Sequence, residues 1–533
     1  MDSPSATKTG NLSFLDSIPR SVSCLLLVHF LIQGIFFHSI GRFIADSGKE
    51  LIVPWLLLDG QELYRDIFWL YGPWAPSFNA ALYQLFGVHT DVLLWAAKFL
   101  GAGVVVTVYF CLRLLVTPRL AFAGALGVLA LSTTSNYFTW PYSFSNLWAT
   151  FLALLAVYWI SRWWQTGKYY LLGASALCAA IVISCKFIIA FPILAALWSL
   201  LFVTWKLPGG TASTPKRPWF AVTLYTLFVL GIFAFTLWYY GRGVSVESYR
   251  LQIGAVFHAR HLINAELYDR LREAALLQNG LRPETIAAAL AIWLCPLTVL
   301  FGLVVWLHSW FTTPKQHGDL LLPLPFAVFA LGNLLQMNSS VHAPYVYPAS
   351  AVIAFWAMHH IAFASPLRMV KLLGPASITI FCLLLGGTRL YKLSQHTDKV
   401  ISPRYEFRWE KYHATWLQPL ASYVQKHTQE SDRIIVFGSR DYLYMICNRK
   451  PALGYLYTWY EPFHDATAAA KVVASLKSGS VPLIITSPLE PFSLAFPENY
   501  RTHIIYQTLE EEYQPVAFPE LAGQVIVWEK KKK

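Results

Sequence analysis

The sequence predicts a mainly α, polytopic membrane bundle of about eleven spans, with a small extracytoplasmic α/β domain at its C-terminal end. Three observations predict it. The 533-residue chain is 56% hydrophobic and only 13% charged, with mean hydropathy +0.45, whereas a soluble chain carries about a quarter charged residues. Apolar runs long enough for a helix to cross a bilayer recur through its first three-quarters, as in "PWFAVTLYTLFVLGIFAFTLWYY". After Arg389 the pattern changes, and fifteen of the 29 acidic residues fall beyond that point.

Taken in order, the apolar segments lie at 22–40, 90–112, 119–134, 144–161, 169–185, 187–205, 218–240, 285–307, 320–337, 345–364 and 371–388. The first is long and has no small-residue cleavage site after it, so it reads as a retained span rather than a signal peptide. Connectors alternate in character. One set carries Arg113 and Arg119, Arg162 and Lys168, Lys206, Lys216 and Arg217, Lys315, and Arg368 and Lys371. Connectors of the other set, such as "TTSNYFTWPY" and "MNSSVHAP", hold no Lys or Arg. An excess of basic residues marks the cytoplasmic side. The N-terminus is therefore expected inside, and the first loop and C-terminal domain outside, in what reads as a bacterial cytoplasmic membrane. Residues 1–389 form the membrane domain, with outer loops 41–89 and 241–284, and residues 390–533 the outer domain.

In that outer domain, "WEKYHATWLQPLASYVQKH" and "DATAAAKVVASLKSG" have helical periodicity, and "RIIVFG", "PLIIT", "HIIYQTL" and "QVIVWE" read as strands. "FGS" after the first strand lacks a glycine-rich phosphate fingerprint, so the domain reads as packing or a lid. Six of the seven cysteines lie in apolar runs and none are spaced CxxC, which argues against a zinc site or a disulfide framework. The net charge of +12 comes from span ends and the run Lys530 to Lys533, so nucleic acid is not an expected partner.

The first loop departs from the rest. "ADSGKELIVPWLLLDGQELYRDIFWLYGP" holds Asp46, Glu50, Asp59, Glu62 and Asp66; after Asp91 no further acid occurs until Glu247. Asp46, the first acid past the first span, sits where reduced solvation raises a carboxyl pKa and makes it a workable base for a hydroxyl. An alternative is that Asp46 starts a helix. Further on, Tyr64, Phe68, Trp69, Tyr71 and Trp74 suit an amphipathic segment lying in the interface, and Glu62, Arg65 and Asp66 also suit local ion pairs on its wet face.

With Gly60, Glu62, Tyr64, Arg65, Asp66, Tyr71, Gly72 and Pro73 in place, this loop resembles the first extracytoplasmic loop of the C superfamily (GT-C) of lipid-dependent membrane glycosyltransferases, in particular bacterial relatives of the family 39 protein O-mannosyltransferases. Asp46 is followed by Ser47, where the mannosyltransferases proper carry an adjacent acid, so the second acid is Glu50 or is absent. The resemblance implies a polyprenyl-phosphate-linked sugar donor and no separate cofactor. It also implies an acceptor hydroxyl on a lipid, glycan or protein, an inverting step with Asp46 as general base and Glu50 and Asp66 as further catalytic candidates, substrate contacts from Tyr64, Arg65 and Tyr71, and a role in glycosylation at the cell envelope. The loop pattern resembles the metal-free branch, and His359-His360, with no acids nearby, makes a poor metal site.

A departing lipid phosphate needs cations where its charge develops. Lys186, a lone ammonium between two apolar runs, is the first candidate; the alternative is a snorkelling lysine. Arg260, beside His258 and His261, comes next, the alternative being a basic face against anionic lipid. Lys98 reads as snorkelling. His342, Tyr345 and Tyr347 are candidates for a sugar or acceptor pocket, or for interfacial anchors. The rival class is a multi-span transporter or flippase of a lipid or glycan; against it stand the scarcity of acids in the spans and the lack of internal repeats.

Overall fold

A computed structural model of the chain describes residues 16–39, 45–69, 71–135, 138–140, 143–205, 218–242, 283–312, 320–334, 342–364, 368–409, 411–438, 440–454, 466–487, 503–518 and 523–531. The protein is a multi-pass helical membrane protein with a small C-terminal sheet. The helices of the first part are α1 (Ile18–Ile35), α2 (Ala45–Leu58), α3 (Trp74–Phe86), α4 (Thr90–Arg113), α5 (Pro118–Val128), α6 (Phe144–Thr166), α7 (Tyr169–Trp205), α8 (Pro218–Gly241), α9 (Pro283–Thr312), α10 (Leu324–Leu334), α11 (Ala343–Ala364) and α12 (Arg368–Ser394). Each of the eleven apolar segments falls on a helix, two of them on α7. Among the described residues six helices are long and apolar enough to cross a membrane.

Local chemistry sets several ends. Thr117 precedes Pro118 at the first position of α5, where a missing N–H is harmless. Ser143 caps α6 by accepting the Asn146 N–H, and Gly167 ends that helix in the left-handed region at φ 68°. Helix α7 is broken at Lys186, whose backbone is extended at φ −153° and ψ 92°.

The first loop differs from its expected form. Rather than lying flat in the interface, it enters the core. Leu51, Ile52, Val53 and Leu56 of α2 are fully buried. Beyond α2 the chain is non-helical, because Gly60 and Tyr64 both take positive φ, 81° and 69°. Phe68 and Trp69 are buried against protein, and the Phe68 N–H donates to the Gly454 carbonyl at 3.2 Å.

The C-terminal part begins with an antiparallel hairpin, β1 (Asp398–Ser402) and β2 (Tyr405–Trp409). A five-stranded sheet follows in the order β4-β3-β5-β7-β6, built from β3 (Arg433–Val436), β4 (Lys450–Pro451), β5 (Leu483–Thr486), β6 (Tyr513–Pro515) and β7 (Ile526–Lys530). Its first three members are parallel and its last two antiparallel to their neighbours. Helices α13 (Lys411–His427), α14 (Leu443–Cys447), α15 (Ala466–Lys477) and α16 (Ile504–Glu512) accompany it. "HIIYQTL", expected as a strand, is α16: the His503 ring accepts the Ile505 N–H at the start, and Ile505 and Leu509, one turn apart, bury together in the domain core.

This domain is seated on one end of the bundle. The Thr90 N–H donates to the Arg404 carbonyl and the Arg408 N–H to the His38 carbonyl, at 3.0 and 2.9 Å. The His38 ring stands 2.9 Å from Asp91 and 3.7 Å from Glu406. Asp59, just past α2, is bonded by both Arg433 and Lys450. Burial alone would raise its pKa, but the bonds to Lys450 and Arg433 hold the carboxyl below its ordinary value. At Gly48 a Cβ would collide with the backbone of Asp441 and Tyr442, so glycine is what allows α2 and α14 to touch.

Candidate active site

Two features flagged separately in the sequence, the "YGP" of the first loop and the isolated Lys186, meet in space. A break in a helix leaves carbonyls without their i+4 donors. Here the Gly72 N–H donates to the Cys185 carbonyl at 2.9 Å. A Cβ on Gly72 would overlap the Ser184 carbonyl oxygen, so no other residue can approach the break in this way. The loop is fixed on the other side by the Tyr64 hydroxyl, which donates to the Tyr71 carbonyl at 2.7 Å, and by the Trp69 indole N–H on the Gly72 carbonyl at 3.1 Å. This docking sets the Tyr71 ring 5.7 Å from the Lys186 ammonium, within cation–π range.

Half-buried Lys186 also donates to the Asn146 Oδ1 at 2.6 Å. Asn146 is in the first turn of α6 and is buried. Glu50 of α2, 2% exposed, accepts the Phe144 N–H of the same turn at 3.0 Å through Oε1. A carboxylate at a helix N-terminus is favourably placed against the helix dipole. The first turn of α6 thus joins an acidic helix to a cation. Asp46 and Glu50 are one turn apart on α2, so their positions share a face. Trp148, two residues past Asn146, meets Trp74 and Phe78 of α3 at ring separations of 6.0 and 4.9 Å, giving the same turn an aromatic neighbourhood.

The overall fold of the chain is similar to that of solved structures. ArnT from Cupriavidus metallidurans, in crystals bound to undecaprenyl phosphate, matches with TM-score 0.59 over 95% of this chain and 97% of its own, at 12% identity. Its apo form matches with TM-score 0.57 at 11% identity over the same shares. The oligosaccharyltransferase of Archaeoglobus fulgidus in its apo form matches with TM-score 0.50 at 11% identity, over 96% of this chain and 74% of its own. The chain has the C-superfamily glycosyltransferase fold. No family model and no curated protein matches the sequence, so this likeness is one of fold.

Within the C-superfamily fold the candidate residues are distributed unevenly. Glu50 and Lys186 are both bonded to the first turn of α6, Tyr71 stands beside Lys186, Tyr64 bonds the Tyr71 carbonyl, and Asp46 lies in the first turn of α2. Arg65 and Asp66 face outward: Arg65 pairs with Glu62 at 2.9 Å and with Asp66 at 2.8 Å, and Asp66 also accepts the Glu62 N–H. The bond from Arg65 is the main reason the Asp66 carboxyl stays below its ordinary value. Tyr345 is buried and its ring lies 5.3 Å from Phe138, on the segment leading to Ser143. His342 opens the turn before α11. His258 and Arg260 lie outside the described residues. Lys98 does not snorkel: it is fully buried in α4, its ammonium 4.9 Å from the Phe37 ring. Among the described residues no three His, Cys, Asp or Glu side chains form a set that could hold a metal ion.

Sequence reasoning passed over Asn146. Its one signal is position: "SFSN" opens a span, placing an amide in the first helical turn after a serine cap.

Proposed function

We propose that this protein is a membrane glycosyltransferase moving a sugar from a polyprenyl-phosphate-linked donor to an acceptor hydroxyl on the extracytoplasmic side, with inversion. The observation that carries the reading is the α6 turn, to which Glu50 and Lys186 are both bonded. An acid-bearing helix and a cation so joined suit a reaction that takes a proton on one side and releases a phosphate on the other. The C-superfamily fold supports the reading, and ArnT of that fold was crystallised with undecaprenyl phosphate.

In this mechanism Asp46 accepts the proton of the acceptor hydroxyl as its oxygen attacks the anomeric carbon. The bond from that carbon to the phosphate oxygen breaks, and the polyprenyl phosphate leaves as an anion. Lys186 and the N-terminal dipole of α6 stabilise the charge that develops there. Glu50 fixes α2 against α6 and so positions Asp46. Tyr71 and Tyr64 hold Lys186 in place, while Arg65 and Asp66, engaged with one another, form the rim. His342 and Tyr345 contact the sugar or the acceptor, and Arg260 and His258, which lie outside the described residues, are further candidates for binding the donor. The acceptor is a hydroxyl of a lipid, a glycan or a protein.

The test is transfer of radiolabel from a polyprenyl-phosphate sugar to product by protein in detergent or vesicles. Loss of transfer in Asp46→Asn, with the variant still folded, is expected. Labelled lipid crossing vesicles without transfer, at a rate unchanged in Asp46→Asn, would replace this reading by the transporter.

A further inference from the structure

We infer that Arg389 is a second oxyanion seat, apart from Lys186, which holds a phosphate or carboxylate of a bound substrate beside a wide turn at the end of α5; only the identity of that substrate rests on the function proposed above. Past Val128, α5 continues as a π-helical turn, Leu129–Thr133, all of it buried. Such a turn releases carbonyls from the i+4 ladder, and turns of this kind recur at functional sites. The partners of those carbonyls can be counted. The Thr133 and Thr134 hydroxyls donate to the carbonyls of Leu129 and Ala130. The Ser135 N–H donates to that of Ser132, and the Gln33 amide and Thr139 hydroxyl to that of Thr133, at 2.9 and 3.1 Å. These donors are all neutral. The Leu131 carbonyl is taken instead by a cation, Arg389 of α12, through Nη1. Closing the turn thus needs no charge, yet one is supplied.

Two observations direct that charge at a ligand. Arg389 shares a face of α12 with buried Cys382, Leu385 and Leu393, and with Gly386, where a Cβ would meet the Ala130 carbonyl at 2.9 Å. Ile380, Leu384 and Tyr391, on the opposite face, are the exposed residues. Arg389 therefore faces the bundle rather than the surrounding lipid, and a charge so placed near a span end is a functional mark. Its partners are the second observation. Besides the Leu131 carbonyl it bonds the Tyr347 hydroxyl, and among the described residues no carboxylate pairs with it. Two bonds leave at least one of the three guanidinium nitrogens over, and none of them is both enclosed and unbonded. Half-buried Arg389 thus keeps N–H groups within reach of a ligand, in a planar fork that matches phosphate or carboxylate oxygens. The Ser132 hydroxyl ties the turn to the Pro344 carbonyl at 2.9 Å, which sets this seat at the start of α11, beside the segment that carries His342 and Tyr345.

The experiment uses the full chain carrying Lys186→Met, so that the first seat does not contribute, with inorganic phosphate as the probe and chloride of equal ionic strength as the control. Phosphate affinity is read from the rise in unfolding temperature with phosphate concentration. Adding Arg389→Gln should weaken it about ten- to a hundredfold, the weight of a charge-assisted hydrogen bond, whereas Arg389→Lys should keep most of it. Phosphate should also shield Arg389 from an arginine-directed dicarbonyl reagent, followed by mass spectrometry; this reading needs no change at position 389 and decides the matter if Arg389→Gln does not fold. Unchanged phosphate affinity in Arg389→Gln, equal losses in the Gln and Lys variants, or labelling of Arg389 indifferent to phosphate would overturn the inference. With Lys186 restored, polyprenyl phosphate binding names the source: a loss in Arg389→Gln assigns the oxyanion to the donor, and unchanged binding assigns it to the acceptor. Absence of sugar transfer by the wild type would overturn the proposed function and leave the phosphate seat standing.

Discussion

Lys98 and Lys186 are both solitary ammonium groups set among apolar residues, and their surroundings differ in kind. Lys98 lies within an unbroken helix, α4, fully enclosed, with the Phe37 ring beside it and no hydrogen-bond acceptor for its ammonium among the described residues. Its backbone carbonyl, not its charge, is what the His29 ring touches. Lys186 lies at a break in α7, half-buried, bonded to the Asn146 amide and backed by Tyr71. The first is enclosed by packing and offers nothing to a ligand. The second is held by groups that fix its direction, at a place where the helix has been opened to admit another part of the chain. An isolated lysine in a span is thus informative only once its neighbours are known.

The largest expected effect separates the two. Lys186→Met should lower sugar transfer by about 10²–10³-fold, the usual result of removing one preorganised donor to a developing charge. Lys98→Met should leave transfer near wild type and keep or raise the unfolding temperature, since it replaces an enclosed ammonium by an apolar side chain of similar length. Transfer rates and thermal unfolding of the two variants check this; equal losses of transfer would erase the distinction.

Next comes the break itself. Gly72→Ala places a Cβ into the Ser184 carbonyl and should cost transfer about a hundredfold, as a displacement near 1 Å does. Gly60→Ala is the matching control: the space around it is open, and only its φ of 81° is strained, so the expected penalty is about 1 kcal/mol of stability with transfer retained. Kinetics of both variants decide whether the close approach at Gly72, rather than loop flexibility, places Tyr71 on Lys186.

A smaller effect concerns how the C-terminal domain holds the first loop. The Asp59 carboxyl is kept below its ordinary value of 3.8 in the folded protein by Lys450 and Arg433. A lowered acid contributes stability that is present above the unfolded value and lost as pH falls through the folded one. Protection of β3 in hydrogen exchange should therefore be full at neutral pH and fall below about pH 4. Asp59→Asn should remove that pH dependence and about 1–2 kcal/mol of protection. The smallest effect is expected at the rim, where Arg65→Ala breaks only a surface cluster and should change the unfolding temperature least of all these variants.

Much of this was legible in the residues. The spans follow from apolar length, and even the break in α7 was visible as Lys186 between two runs. The first loop announced itself by its acids. What it could not announce was its depth: α2 packs on α3 and also meets the C-terminal domain, a contact between residues almost 400 positions apart in the chain, as Asp59 and Lys450 show. "HIIYQTL" misled because a short apolar run suits strand and helix alike, and only the His503 cap and the one-turn spacing of Ile505 and Leu509 decided it. Asn146 was missed because an amide at a span end has no periodicity to betray it; its meaning lies in a partner on another helix.

The central claim is that Lys186, held at the α6 turn, seats the lipid phosphate opposite the acids of α2. The most direct test is equilibrium binding of a polyprenyl phosphate against the matching polyprenol, in wild type and in Lys186→Met. The account predicts a preference for the phosphate that is largely lost in the variant, with polyprenol binding unchanged. A folded Lys186→Met protein that keeps the wild-type preference would contradict it.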